Sequence, residues 1–328
     1  MVSLETSYMG LKLKSPIIVG SSGLTNSVEN IREAASFGAG AVVLKSLFEE
    51  QIMHQADHTL HYGNIGMHYP EAEDYIRNYT RSNDVENYLQ LIRESKKAVN
   101  IPVIASINCL TSSEWVDFAS RMEDAGADAI ELNVFVLPSD VNRSSEQNEA
   151  VYFDVASKVL QKVKIPVSLK ISHYFSALAQ TAVKLSWAGV SGLVLFNRFY
   201  SLDIDIEHFE LRPAHVFSSP AELATSLRWV AMLSAKISCD IAASTGCHDG
   251  KSAVKQLLAG AKAVQVASVL YKKGFREIEI MNNEIREWME RHEFQSLNQF
   301  VGRMSVKPSE NSAAYERVQF MKHFSGID

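Results

Sequence analysis

The chain is poor in the residues that staple or anchor a protein. Its 328 residues include three cysteines, Cys109, Cys239 and Cys247. Their odd number and the lack of any CxxC spacing argue against a disulfide framework, a zinc site or an iron–sulfur cluster held by this chain. No apolar run approaches the roughly 20 residues needed to cross a bilayer. The opening MVSLETSYMGLKLKSP lacks the layout of a signal peptide. Positive charge is scarce as well: 32 Lys and Arg against 38 Asp and Glu give a net charge of -6. That balance argues against nucleic acid as a partner, and no block of like charge reads as an interaction tail. No GxGxxG opens the first strand–helix unit, which counts against a dinucleotide-binding fold. The expectation is a cytoplasmic protein acting on a small molecule, without nucleic acid, membrane or metal; a homodimer is compatible with all of this.

What is present is alternation. Residues 4–14 alternate around Met9-Gly10 and read as a small hairpin. Eight short apolar runs then follow one another, at residues 17–23, 41–46, 102–108, 129–134, 166–171, 192–197, 240–246 and 263–268, the first running into small residues. Helical patterns separate them, over residues 27–37, 84–98, 111 onward, 147–163, 175–188, 220–235 and 251–259, with a last helix over 275–290. In the helix from Thr111, Trp115, Phe118 and Met122 form a core stripe. Regularity lapses over residues 48–83 and 199–218, and connections of that length are usually functional. Alternation at this length predicts an α/β fold of one domain over residues 1–328: a (β/α)8 TIM barrel with a short N-terminal hairpin and long loops after strands 2, 4 and 6.

Such barrels work at the C-terminal ends of their strands. Those ends carry Gly20-Ser21-Ser22, Lys45-Ser46, Asn108, Asn133, Lys170, Asn197, Ser244-Thr245-Gly246 and Ala267-Ser268. Any one of these is also explained by a strand leaving for solvent. Two lysines in otherwise apolar strands, however, call for an anionic partner. Small residues after strands 7 and 8 let backbone N–H groups approach a phosphate. A phosphorylated cofactor with a flat polar ring, or a phosphorylated substrate, suits this mouth. A barrel lyase or aldolase forming a Schiff base on Lys170 or Lys45 suits it too.

The segments SPIIVGSSG, VVLKS, IPVIASINC, EDAGADAIELN, IPVSLK, LFNR and AASTGCHDGKSAVKQLLAGAKAVQVASVLYKKG occur in this order along nearly the whole chain. Together they resemble the dihydroorotate dehydrogenase family and the related pyrimidine-binding domain of dihydropyrimidine dehydrogenase. The resemblance implies FMN held non-covalently over the barrel mouth, exchanging hydride with a dihydropyrimidine. By position it implies that Gly20, Ser21 and Ser22 back onto the flavin and that Lys45 and Ser46 reach its ring and the substrate. Asn108 and Asn133 would bond the ring or the substrate, Lys170 the flavin, and Asn197 the substrate. Ser244, Thr245, Gly246, Ala267 and Ser268 would hold the phosphate. Lys170 and Lys45 are the catalytic candidates.

One loop departs from the family pattern. A form close to ELNxSCPN places a Cys or Ser base after the strand, whereas here Glu131-Leu132-Asn133 runs into Val134-Phe135-Val136-Leu137-Pro138. Val136 stands at the base position and accepts no proton. Pro138, and Tyr69 in the earlier loop, stand where substrate-binding asparagines are expected. Ser139, Cys109 and His173 are the nearby groups able to substitute. The departure leaves open a family member with another substrate, or one that binds flavin with little dehydrogenase activity. His54, His58 and His61 have helical spacing, with Asp57 and His68 close by; a solvated or loop-packing role accounts for them without a metal.

Overall fold

Runs such as Ile17-Ile18-Val19 suit a pleated surface buried on both sides, and they form the strands of a closed barrel. A computed structural model describes residues 2–48, 70–108, 112–198, 202–214 and 216–307. The chain begins with an antiparallel hairpin of β1 (Thr6–Tyr8) and β2 (Leu11–Leu13). There follow β3 (Ile17–Val19), β4 (Ala41–Val43), the short β5 (Leu47–Phe48), β6 (Val103–Asn108), β7 (Ala129–Asn133), β8 (Val167–Ile171) and β9 (Gly192–Leu195). A second hairpin, β10 (Leu202–Asp205) and β11 (Glu210–Pro213), precedes β12 (Asp240–Ser244) and β13 (Ala263–Val266). Eight of these strands pair in the order β4-β3-β13-β12-β9-β8-β7-β6, and a β4–β6 pairing closes the ring. All eight run parallel.

Crossover helices enforce that parallel order. They are α1 (Val28–Ser36), α2 (Pro70–Ala98), α3 (Ser112–Asp124), α4 (Ser145–Leu160), α5 (Leu178–Trp187), α6 (Leu223–Leu233) and α7 (Gly250–Ala259). The last strand is followed by α8 (Ser268–Lys273) and α9 (Arg276–Arg291). The expected (β/α)8 barrel is therefore the observed fold. Among the described residues no helix is long and apolar enough to cross a membrane.

The period of two along each strand sorts side chains to two sides. Ile130, Leu132, Leu169 and Ile171 belong to the outer core with the helices, where Trp115, Phe118 and Met122 also lie. Ile18, Val43, Ile104, Ala129, Val194 and Ala242 belong to a separate inner cluster with Tyr8 and Met9 of the first hairpin. That hairpin thus plugs the N-terminal end of the barrel. Two residues further along, the interior turns polar: Ser106, Glu131 and Gln265 are buried, and Lys170 nearly so. The change of chemistry along the bore sets the floor of the site.

Three local readings change. The helix expected over residues 84–98 begins at Pro70. Its buried residues Val85, Tyr88, Leu89 and Ile92 give the period. The irregular stretch 199–218 contains the hairpin β10–β11. Its turn has no glycine: Asp205 accepts from the N–H groups of Glu207 and His208, and Phe209 takes a φ of 56°. Helix α8 follows Ala267, where only a phosphate contact had been expected.

Candidate active site

A cavity of about 460 Å³ opens at the C-terminal ends of β3, β8, β12 and β13. Nine of the expected residues line it: Gly20, Ser21, Ser22, Lys170, Ser244, Thr245, Gly246, Ala267 and Ser268. The loop after β12 is the most constrained part. Thr245 and Gly246 have φ angles of 74° and 79°. A Cβ on Gly246 would lie 2.2 Å from the Leu223 backbone nitrogen, so only glycine lets α6 start this close. Turns at strand ends gather successive N–H groups into anion-binding concavities. Among the described residues, the Gly246 and Ala267 N–H groups have no protein acceptor. Downstream, Asp249 caps α7 by accepting from the Ser252 N–H at 2.7 Å. The far end of the loop is fixed by that cap.

A second loop closes over this cradle. Arg198, just past β9, donates to Val216 O at 2.9 Å and Phe217 O at 3.2 Å and pairs with Glu222 at 2.9 Å. The Ser218 N–H donates to Ser268 Oγ at 2.9 Å, and Lys272 donates to Ser218 O at 3.2 Å. Ser218 Oγ meets His248 Nε2 at 3.0 Å; burial, with Lys272 and Lys273 nearby, lowers the His248 pKa below the usual histidine value. Phe217 and Tyr271 pack ring to ring at 5.3 Å in the same wall. Arg198 stands in the LFNR segment, but the strand-end pattern gave it no role. A single Arg directly after a strand-end Asn was the available signal.

At the floor, Lys170 Nζ stands 3.3 Å from Gln265 Oε1 and 3.9 Å from Glu131 Oε1. Gln265 Nε2 donates to Glu131 Oε2 at 2.5 Å. Glu131 is 1% exposed, and its Oε1 has no hydrogen-bond partner. The anionic partner that Lys170 demanded is therefore a carboxylate of the chain itself. Glu131 and Gln265 have no role in the strand-end reading, although each is a polar residue in the middle of an apolar run.

The remaining expected residues are not among those lining this cavity. Ser46 is buried and joins Ser21 at 3.0 Å and Ser106 at 2.8 Å, so it supports the floor through hydroxyls. Lys45 is exposed at the end of β4. Asn108 ends β6 half-buried. Asn133 Oδ1 is buried without a hydrogen-bond partner among the described residues. Asn197 spends its amide N–H groups on Val134 O at 3.2 Å and Lys170 O at 3.1 Å. Its first job is to hold the loop after β7 against β8, and it lines a side cavity of about 200 Å³ with Ser244 and Thr245. Val136 faces a different space, shared with His173, Glu149 and Arg143. Ser139 is exposed, and Cys247 is buried with its thiol pushed up to about 12 by that burial, an inert packing residue. Cys109, Tyr69 and the histidines of 54–68 lie outside the described residues.

The sequence profile described as dihydroorotate dehydrogenase matches residues 3–289. The chain belongs to the dihydroorotate dehydrogenase family. Relatives named "Dihydroorotate dehydrogenase B (NAD(+)), catalytic subunit" are similar along almost their whole length. The protein from Thermoplasma volcanium is 28% identical over 92% of this chain and 98% of its own. That from Methanocaldococcus jannaschii is 26% identical over 91% and 97%. That from Pyrococcus horikoshii is 26% identical over 91% and 97%. For a dihydroorotate dehydrogenase family member, the cavity sits at the expected end of the barrel.

Proposed function

We infer that the chain is an FMN-dependent oxidoreductase acting on a CH–CH bond of a dihydropyrimidine-like substrate in pyrimidine metabolism. Family membership carries the reaction class. The observation that carries the cofactor is the cradle of Gly246 and Ala267 in the cavity that Lys170 also lines: two N–H groups there lack acceptors among the described residues. The buried, unpaired Asn133 Oδ1 fits a donor on a flat heterocycle.

In this reading Ser244, Thr245, Gly246, Ala267 and Ser268 hold the FMN phosphate, and Gly20, Ser21 and Ser22 let the backbone approach the ring. FMN, when bound, supplies a hydride acceptor at N5. Lys170, held beside Gln265 and Glu131 at the cavity floor, offers a preorganised cation, which favours negative charge developing beside it. Asn133 and Asn108 orient the ring or the substrate, and Lys45, Asn133 and Asn197 face the substrate. Family membership weighs against the Schiff-base alternative, and Lys170 already has two polar partners.

The purified protein is expected to be yellow, with flavin absorbance, and dihydroorotate is expected to bleach it without oxygen. A colourless protein that takes up no FMN refutes the cofactor, and a flavin left unbleached at every pH refutes dihydroorotate. For assembly we propose a second copy of the chain docked on the apolar face of the β10–β11 hairpin.

A further inference from the structure

Position 136 lacks a base, so the proton that must leave the substrate needs another acceptor. Val136 and His173 line one cavity of about 460 Å³. His173 also lines the side cavity of Asn197, Ser244 and Thr245. Its ring packs edge-on against Phe196 at 5.7 Å, and Phe196 is itself a wall of the main cavity. The two loops are tied at their roots, because Asn197 bonds Val134 O and Lys170 O together. His173 thus lies three residues past Lys170, beside the loop whose family base is missing.

Its nitrogens are uncommitted. His248 is bonded to Ser218 and His208 to Asp205, whereas no hydrogen bond engages the His173 ring among the described residues. Partial burial lowers its pKa below the usual histidine value, which keeps the imidazole neutral near pH 7. The titratable and charged groups sharing its two cavities are Arg143, Glu149, Tyr152, Tyr174, Arg198 and Glu222. Glu149 accepts from Thr181 and Glu222 is paired with Arg198, so neither carboxylate is idle.

We propose that His173 is the acid–base residue of this enzyme, taking at an imidazole nitrogen the proton that a Cys or Ser at position 136 takes elsewhere in the family. This rests on the dehydrogenase reading. The proton passes from substrate carbon to imidazole. The electron pair of that C–H bond becomes the new C=C bond, and the hydride lost from the neighbouring carbon goes to the bound flavin. In the reverse direction the imidazolium returns the proton.

The test compares the holoenzyme with H173N, V136C and the H173N/V136C double variant. His173 is exposed, so H173N is expected to keep its flavin content. Its bleaching by dihydroorotate is expected to slow by about 10²–10⁴-fold, the usual weight of a general base. In the wild type the rate rises with pH through a pKa below the ordinary histidine value and then levels; in H173N that limb disappears. Adding V136C to H173N is expected to restore part of the rate, with the limb moved toward the thiol range of about 8.5. A readout independent of turnover is the 13C-histidine NMR signal of His173, which is expected to move when orotate is added. A wild type that bleaches while H173N bleaches equally fast overturns the His173 assignment and leaves the dehydrogenase reading standing. A wild type that never bleaches overturns dihydroorotate as substrate. The NMR signal then decides for His173: movement with orotate keeps the assignment, and a signal that stays still removes it.

Discussion

Lys170 and Glu131 meet where the barrel bore turns from apolar to polar, so each conditions what removal of the other does. Lys170→Ala leaves a 1% exposed carboxylate without its cation. The expected cost is about 2 kcal/mol, below the roughly 3–5 kcal/mol of a fully buried pair, because Lys170 keeps 13% of its side chain exposed. Adding Glu131→Gln neutralises the orphan and keeps the acceptor for Gln265, so most of that stability returns in urea denaturation. Flavin reduction stays slow in both variants if Lys170 acts on the reaction. Stopped-flow rates that recover along with stability assign Lys170 a structural role only. Gly246→Ala tests the cradle. At φ 79°, with the Leu223 nitrogen 2.2 Å from the new Cβ, the loop must shift. Loss of most bound flavin is expected with a stability cost of about 1–3 kcal/mol, read as the flavin-to-protein absorbance ratio and a thermal melt.

Elements succeed or fail by how they seat against one another, and the first hairpin shows this at the end of the barrel away from the site. Tyr8 and Met9 enter the bore beside Gly192, where an added Cβ would lie 2.9 Å from Tyr8 Oη and 3.0 Å from Met9 Cγ. Gly192→Ala is therefore expected to destabilise by about 1–3 kcal/mol through overpacking. Flavin content should hold, because the plug and the cradle sit at opposite ends of β9 and β12. A Gly192→Ala protein that melts like wild type refutes the seating argument. The same contrast explains what was legible in the sequence. Strands were readable because Val, Ile and Ala dominate them, and Lys170, Asn133 and Gly246 were readable as polar or small residues at strand exits. The Glu131–Gln265 bond was not, since its partners are 134 positions apart and meet only once the barrel closes. The β10–β11 hairpin was not either, because Asp205 builds its turn in place of the Gly or Asn-Gly that a hairpin usually announces.

At the scale of the molecule, that hairpin is the element least accounted for by the barrel. Its register places Leu202, Ile204 and Leu211 on one face, exposed by 57%, 59% and 70%, with Phe209 at the turn 90% exposed. The opposite face carries Asp203 and Asp205 against Arg212. A two-stranded ribbon is marginal alone in water and gains stability when an apolar face is covered. A second copy presenting the same uncharged face satisfies that need by twofold symmetry, and no like charges are brought into direct contact. Light scattering is expected to give twice the chain mass, and to keep doing so at high salt, since an apolar contact is little screened. Ile204→Lys with Leu211→Lys places four like charges in the interface and is expected to give the monomer with flavin still bound. A wild type of single-chain mass, or a double variant that remains dimeric, assigns this face to something other than a second copy.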